Sequence, residues 1–259
     1  MHPADWRLIN GENLEAIPAA LARARGNSTA RALAQSDWLL RHKADGRFMA
    51  VRRGETLRAL RRGNLAPAMD GELAALVQAD AAGESPRPLS GLAERLQALG
   101  LDADYGDRSG LPLVAEPHAL GYAGRDRYRR PLWLTLAAAR AWRAMQASAL
   151  AEDTVLEAIS GYRSHAYQLG IFRRKLARGQ SVAEILTVNA APGYSEHHAG
   201  NALDIGTPGE PAAEESFELT PAFRWLQRRA GEFGFLMSYP RDNPHGIVYE
   251  PWHWRHEAG

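Results

Sequence analysis

The 259-residue chain contains no cysteine. That excludes disulfides, thiolate zinc sites and cysteine nucleophiles together, so any transition-metal site must be built from His, Asp and Glu. The absence does not choose a compartment, because cytosolic and exported proteins can both dispense with thiols. Long apolar runs are missing as well. None approaches the ~20 residues that span a bilayer, and the N-terminal "MHPADWRLINGENLEAIPAALARARG" has no apolar segment of secretory type. A charge excess is also lacking: the formal net charge of +1 gives no reason to expect nucleic acid or an acidic membrane surface as partner. Arginine far outnumbers lysine, but it is scattered among acids.

With 45% hydrophobic and 24% charged residues, the composition is that of a soluble globular protein. The length allows one large domain or two small ones. Up to about residue 110, apolar spacing predicts a mainly helical region. Its candidate helices are "NLEAIPAALARARG", "TARALAQSDWLLRHKADG", "GELAALVQADAAG" and "LSGLAERLQALGL". Between the second and third, "RFMAVRRGETLRALRRGNLAP" reads as a short strand followed by a basic helix, and Gly83 to Gly91 has linker composition. Arg52, Arg53, Arg58, Arg61 and Arg62 make a basic cluster that suits a solvated face, with contact to an anionic wall polymer as the other reading.

From about residue 111 the pattern becomes mixed. A helix follows Thr135, and "TVLEAIS" is a short strand. Ser164 caps a helix, Ser181 with Glu184 forms a capping box, and Thr220 with Pro221 opens a further helix ended by Gly234. "FLMSYP" and "GIVYEPWHWRHE" are strand-like. Helices with non-adjacent short strands, lacking regular βαβ alternation, predict an α+β fold.

The stretch "SEHHAGNALDIG", Ser195 to Gly206, holds His197 and Asp204 in H-x6-D. If Asn201 to Gly206 is a strand, Asn201, Leu203 and Ile205 share one face and Ala202 and Asp204 the other. Gly200 permits a sharp turn between the histidine and the strand. Glu250 and His253 form E-x-x-H in "EPWHWR". Together His197, Asp204 and His253 would be a His2Asp set with a fourth position open to water, as in catalytic zinc sites. Glu250 beside it could move the proton of an attacking water. His198 competes with His197, since side-chain alternation lets only one face the ion.

Three motifs carry a resemblance. "SEHHAGNALD" matches S-x-H-x-x-G-x-A-x-D, "EPWHWR" matches E-x-W-H, and "SGYRSHAYQ" matches an upstream S-G-Y-R-S…Q element. In that order they resemble the VanY-type zinc D-alanyl-D-alanine carboxypeptidases, within the wider group of lysostaphin-like enzymes and the hedgehog signalling domain. The similarity runs from about residue 111 to the C-terminus, and the first 110 residues fall outside it. It implies a catalytic domain over 111–259, with a small antiparallel sheet and flanking helices, preceded by the helical region 1–110. It also implies Zn2+ on His197, Asp204 and His253, Glu250 as general base, and Arg163 as the donor to the scissile carbonyl oxygen. Arg163 paired with a carboxylate for structure is the other reading of that residue. Gln168, Ser195, Ser238, Tyr239 and Trp252 are implied to line the substrate.

The implied activity is removal of the terminal D-alanine of peptidoglycan stem peptides. An endopeptidase or L,D-carboxypeptidase of the same group, and a non-catalytic zinc-stabilised binding module, are the alternatives. The implied location is the cell envelope, in the periplasm, with the cytoplasm as the other reading. The implied partner is a stem peptide or muropeptide, with no nucleic acid. His165, His245 and His256 are expected at the surface or behind the ligands, and Glu210, Glu214, Glu215 and Glu218 in a solvated loop.

Overall fold

The structure is a computed structural model that describes residues 6–60, 72, 76, 86–101 and 104–257. The chain forms two compact units, Met1–Pro86 with Pro117–Tyr122, and Arg87–Glu116 with Ala123–Gly259. No described helix is long and apolar enough to cross a membrane.

The first unit is an antiparallel sheet. Its strands β1 (Arg7–Asn10), β2 (Leu14–Pro18), β3 (Trp38–His42), β4 (Phe48–Arg53) and β5 (Thr56–Ala59) lie in the order β5-β4-β3-β2-β1. The first residues of β6 (Ala119–Arg125) pair with β1, Ile9 opposite Ala119 and Arg7 opposite Gly121. Ile9, Leu14, Ala16, Leu40, Met49, Ala50 and Leu76 make its core. A mainly helical region is therefore corrected to a sheet-rich one among the described residues. The helix Asn27–Ala34 is present, as is Leu92–Gln97 in the second unit.

The correction has a physical cause. All five residues of "LEAIP" in β2 are buried, so the strand shows no apolar alternation to distinguish it from a helix. Its conformation is set by pairing with β1 and β3, a non-local interaction. The expected basic helix after β4 begins instead as β5. Arg53 opposite Thr56 closes a two-residue hairpin at Gly54-Glu55. Arg53 and Arg58 are exposed there, and the Arg52 guanidinium lies 5.7 Å above the Trp38 ring. Arg61 and Arg62, and most of the expected helix "GELAALVQADAAG" and linker, lie outside the described residues.

The second unit follows the α+β expectation. After β7 (Pro131–Leu134), strands β8 (Glu157–Ser160), β9 (Ala202–Gly206), β10 (Phe235–Met237) and β11 (His253–His256) form an antiparallel sheet in the order β10-β11-β9-β8. The helices Leu136–Ala151, His165–Leu176, Val182–Leu186 and Pro221–Arg229 begin at Thr135, Ser164, Ser181 and Thr220, each accepting a backbone N–H on its side-chain oxygen. Ser181 and Glu184 complete a reciprocal capping box.

One face of β9 sends Leu203 and Ile205 into a core with Trp142, Met145, Trp225, Leu226, Phe235 and Trp254. The period of two turns Asp204 to the opposite face. A second cluster contains Tyr105, Phe172, Ile185, Ala191, Tyr194 and Tyr239. Asp204 is only 8% exposed, a costly position for a carboxylate without compensating partners.

Candidate metal centre

Sheet register brings two of the expected ligands together. His253 of β11 is paired with Asp204 of β9, and cross-strand partners project to the same face. His253 Nδ1 lies 3.2 Å from Asp204 Oδ1. The third residue, His197, comes from the turn before β9. Glu196–Ala199 is a 3-10 turn ended by Gly200 in the left-handed region (φ 71°), which lets the chain reverse into the strand. His197 Nε2 reaches to 3.3 Å from the same Asp204 oxygen.

The three residues offer one donor atom each, all within 4.8 Å of one another. Two atoms bound to one ion at zinc–ligand lengths and a tetrahedral angle lie about 3.3 Å apart. The spacings of 3.3 and 3.2 Å about Asp204 Oδ1 fit that figure.

Each imidazole is turned so that one ring nitrogen faces inward. His197 Nδ1 meets the Gly161 carbonyl at 2.8 Å, which assigns the proton to Nδ1 and frees Nε2. His197 Nε2 is buried and has no hydrogen-bond partner among the described residues. Gly161 is required for this contact. A Cβ there would stand 2.7 Å from Leu132 Cδ1 and 3.1 Å from the Trp133 carbonyl oxygen. His253 is held the other way round, with Nε2 at 2.8 Å from Glu196 Oε2 and Nδ1 inward.

The electrostatics favour a cation. Burial, joined by the Arg163 charge, lowers His197 to about 4 against the pull of Asp204, so it is neutral and able to bind metal at pH 7. Burial opposes the charge on His253, but hydrogen bonds to Asp204 and Glu196 outweigh it and raise this histidine to about 10. Burial also opposes ionisation of Asp204, yet His197, His253 and Arg163 hold it well below the usual carboxylate range. Glu250 is raised to about 7, first by burial and then by Asp204 and Glu196, against the pull of His253 and Arg163. Its Oε2 is 3.8 Å from His253 Nδ1. Asp204, Glu196 and Glu250 thus put three carboxylates about the two histidines, with the Arg163 and Arg255 guanidiniums beside them.

Arg163 follows β8 and sends Nη2 to 3.5 Å from Asp204 Oδ2. Its Nε has no hydrogen-bond partner among the described residues. His198 is not a fourth donor. It is fully buried, with Nδ1 at 2.6 Å from the Arg163 carbonyl and Nε2 accepting the Gly193 N–H at 3.0 Å. Both ring nitrogens are used, and the residue ties the Arg163 carbonyl to the Gly193 N–H beside the turn that carries His197. His165 is buried rather than at the surface, its Nε2 2.8 Å from the Val114 carbonyl and its ring edge-on to His198.

The expected substrate-lining residues are placed as follows. Gln168, in the first turn of its helix, donates to the Ala190 carbonyl at 3.0 Å and leaves Oε1 without a partner among the described residues. Ser195 caps the ligand turn and is buried. Ser238 Oγ is buried beside the Glu196 carboxylate and helps hold it ionised, and the Tyr239 OH is buried without a partner among the described residues. Burial, with Glu196 and Glu250 nearby, pushes the Tyr239 phenol up, so it remains a donor. Its ring centroid is 4.8 Å from that of His253. Trp252 is half-buried and packs on the main core. In the acidic loop, Glu215 and Glu218 pair with Arg241.

Glu196 is a site residue that sequence reasoning missed. It occupies an unspecified position of S-x-H, and its partner lies 57 residues on. A carboxylate next to a ligand histidine was the available signal, because ligand imidazoles commonly donate their second N–H to a carboxylate.

A His2Asp donor set with an unligated, raised-pKa carboxylate and a neighbouring arginine has the layout of a mononuclear metal hydrolase site. Residues 132–259 match the family model described as VanY: D-alanyl-D-alanine carboxypeptidase, so the resemblance read from the motifs holds across that segment. The chain is 37% identical over 129 residues to YodJ of Bacillus subtilis, covering 46% of this chain and 44% of that one. It is 36% identical over 107 residues to a D-alanyl-D-alanine carboxypeptidase of Enterococcus faecalis, covering 38% of each. The chain therefore spans less than half the length of these two relatives. A solved structure of VanYB in complex with D-alanine-D-alanine is 29% identical, covering 49% of this chain and 72% of that one, with a TM-score of 0.42.

Proposed function

We propose that the protein is a zinc-dependent D-alanyl-D-alanine carboxypeptidase that removes the terminal D-alanine of peptidoglycan stem peptides. The observation that carries this reading is the convergence of His197 Nε2, Asp204 Oδ1 and His253 Nδ1 beside a carboxylate, Glu250, whose pKa is raised to about 7. Two imidazole nitrogens and one carboxylate oxygen suit zinc and leave a coordination position open, with the ion displacing the proton that Asp204 and Glu196 favour on His253 in its absence. When bound, zinc supplies a Lewis acid that polarises the scissile carbonyl and brings the pKa of a water near 7.

The chain's residues supply the rest. Glu250 takes a proton from the attacking water on a carboxylate oxygen and returns it to the leaving amine nitrogen as the peptide C–N bond breaks. Arg163 donates from its guanidinium to the carbonyl oxygen as negative charge develops there. The free acceptor of Gln168 and the hydroxyls of Ser238 and Tyr239 bind the peptide's polar groups, with Ser195 and Trp252 lining the same end. A non-catalytic zinc module would need neither Glu250 nor Arg163 in these positions.

Because the substrate is the peptidoglycan stem, we place the protein in the cell envelope. Mass spectrometry of a defined pentapeptide muropeptide tests the substrate. Loss of one C-terminal D-alanine, abolished by chelator, is the expected result. Cleavage of a cross-link or of an L,D bond would move the activity to an endopeptidase or an L,D-carboxypeptidase.

A further inference from the structure

We propose that Glu196 is the positioning residue for His253, fixing its tautomer and ring orientation so that Nδ1 alone faces the metal. The inference rests on the proposed zinc site and adds a residue to it. Glu196 Oε2 stands 2.8 Å from His253 Nε2 and 3.8 Å or less separates the inward Nδ1 from both Asp204 and Glu250. The other carboxylate oxygen of Glu196 ion-pairs with Arg255 Nε at 3.0 Å. Arg255 lies two residues beyond His253 on β11, on the same face of the strand.

The arrangement is closed on itself. Glu196 precedes His197 in one 3-10 turn, so a single turn supplies one ligand directly and orients another. β11 supplies the second ligand and the arginine that anchors its orienting carboxylate. His253 is only 3% exposed, so in the intact protein Glu196, not bulk water, is the acceptor for the outward N–H. Without Glu196, that N–H loses its acceptor, and the ring gains nothing by keeping the proton on Nε2. The tautomer with Nδ1 protonated then competes, and it cannot bind metal through Nδ1.

The test is a competitive titration of Zn2+ between the protein and a chromophoric chelator, run on wild type, Glu196→Ala and Glu196→Gln. Glu196→Ala is expected to bind zinc about 10–100-fold more weakly. Glu196→Gln, which keeps a carbonyl acceptor, is expected to recover part of the loss. A general structural role would not produce that order. Equal zinc affinity in all three proteins would overturn the positioning role while leaving the zinc site intact, whereas a wild type that binds no zinc would remove the site itself. Should the alanine variant fail to fold, 15N NMR of the zinc-loaded wild type decides the matter alone. His253 protonated on Nε2 is the expected state, and protonation on Nδ1 overturns the proposal.

Discussion

Asp204 and His253 are paired residues of antiparallel strands, and His253 Nδ1 stands 3.2 Å from Asp204 Oδ1. A ligand pair fixed by sheet register needs no loop to close over the metal. Only His197 is brought in by a turn, and that turn is pinned through Gly161 and Gly200. Glu250 and Arg163, the proposed reacting groups, flank this pair from the segments just before β11 and just after β8.

The first prediction concerns Glu250. Glu250→Gln is expected to keep zinc but to lose hydrolysis by ~10²-fold or more, since general acid–base catalysis contributes on that scale. A wild-type rate with bound zinc would remove Glu250 from the mechanism.

The same variant has a pH signature in chelator-treated protein. Glu250 is raised from 4.5 to about 7, so its contribution to stability is present below pH 4.5 and lost as pH rises through 7. Glutamine has no such loss. The melting temperature of Glu250→Gln should therefore gain on the wild type between pH 5 and pH 8, by up to about 3 kcal/mol in stability. A difference that does not change with pH would contradict the raised pKa.

Arg163 separates catalysis from structure. Arg163→Ala is expected to lower kcat by roughly 10²–10³, more than it raises KM. Arg163→Lys keeps the charge without the planar fork and should recover part of the loss. If melting collapses while kcat of the folded fraction is unchanged, the 3.5 Å contact with Asp204 is the whole of its role.

His198 is a buried cross-link between the Arg163 carbonyl and the Gly193 N–H. His198→Ala should cost about 2–4 kcal/mol, because two buried backbone groups lose their partners. Zinc stoichiometry is expected to remain one per chain. Loss of the zinc with the fold intact would instead make His198 a ligand.

Helix starts at Thr135, Ser164, Ser181 and Thr220 were legible in the sequence because caps are local chemistry. The inward face of β9 was legible because strand alternation alone separates Asp204 from Leu203 and Ile205. The sheet of the first unit was not. Strands such as Leu14–Pro18 are defined by partners elsewhere in the chain, and their Ala, Leu and Arg neighbours favour helix locally. Glu196 was hidden for a related reason, since its meaning depends on β11 folding back beside the 3-10 turn. The motifs favour His197 over His198 as the ligand, and the hydrogen bonds give each histidine a distinct role.

The central claim is that one zinc ion on His197, Asp204 and His253 drives D-alanine release. The most direct measurement strips the protein with chelator, returns zinc in steps, and follows bound zinc and D-alanine release from a pentapeptide muropeptide in the same samples. Release should be absent in the stripped protein, rise in proportion to bound zinc, and level off at one ion per chain. A stripped protein that still releases D-alanine, or a protein carrying one zinc that releases none, would contradict the account.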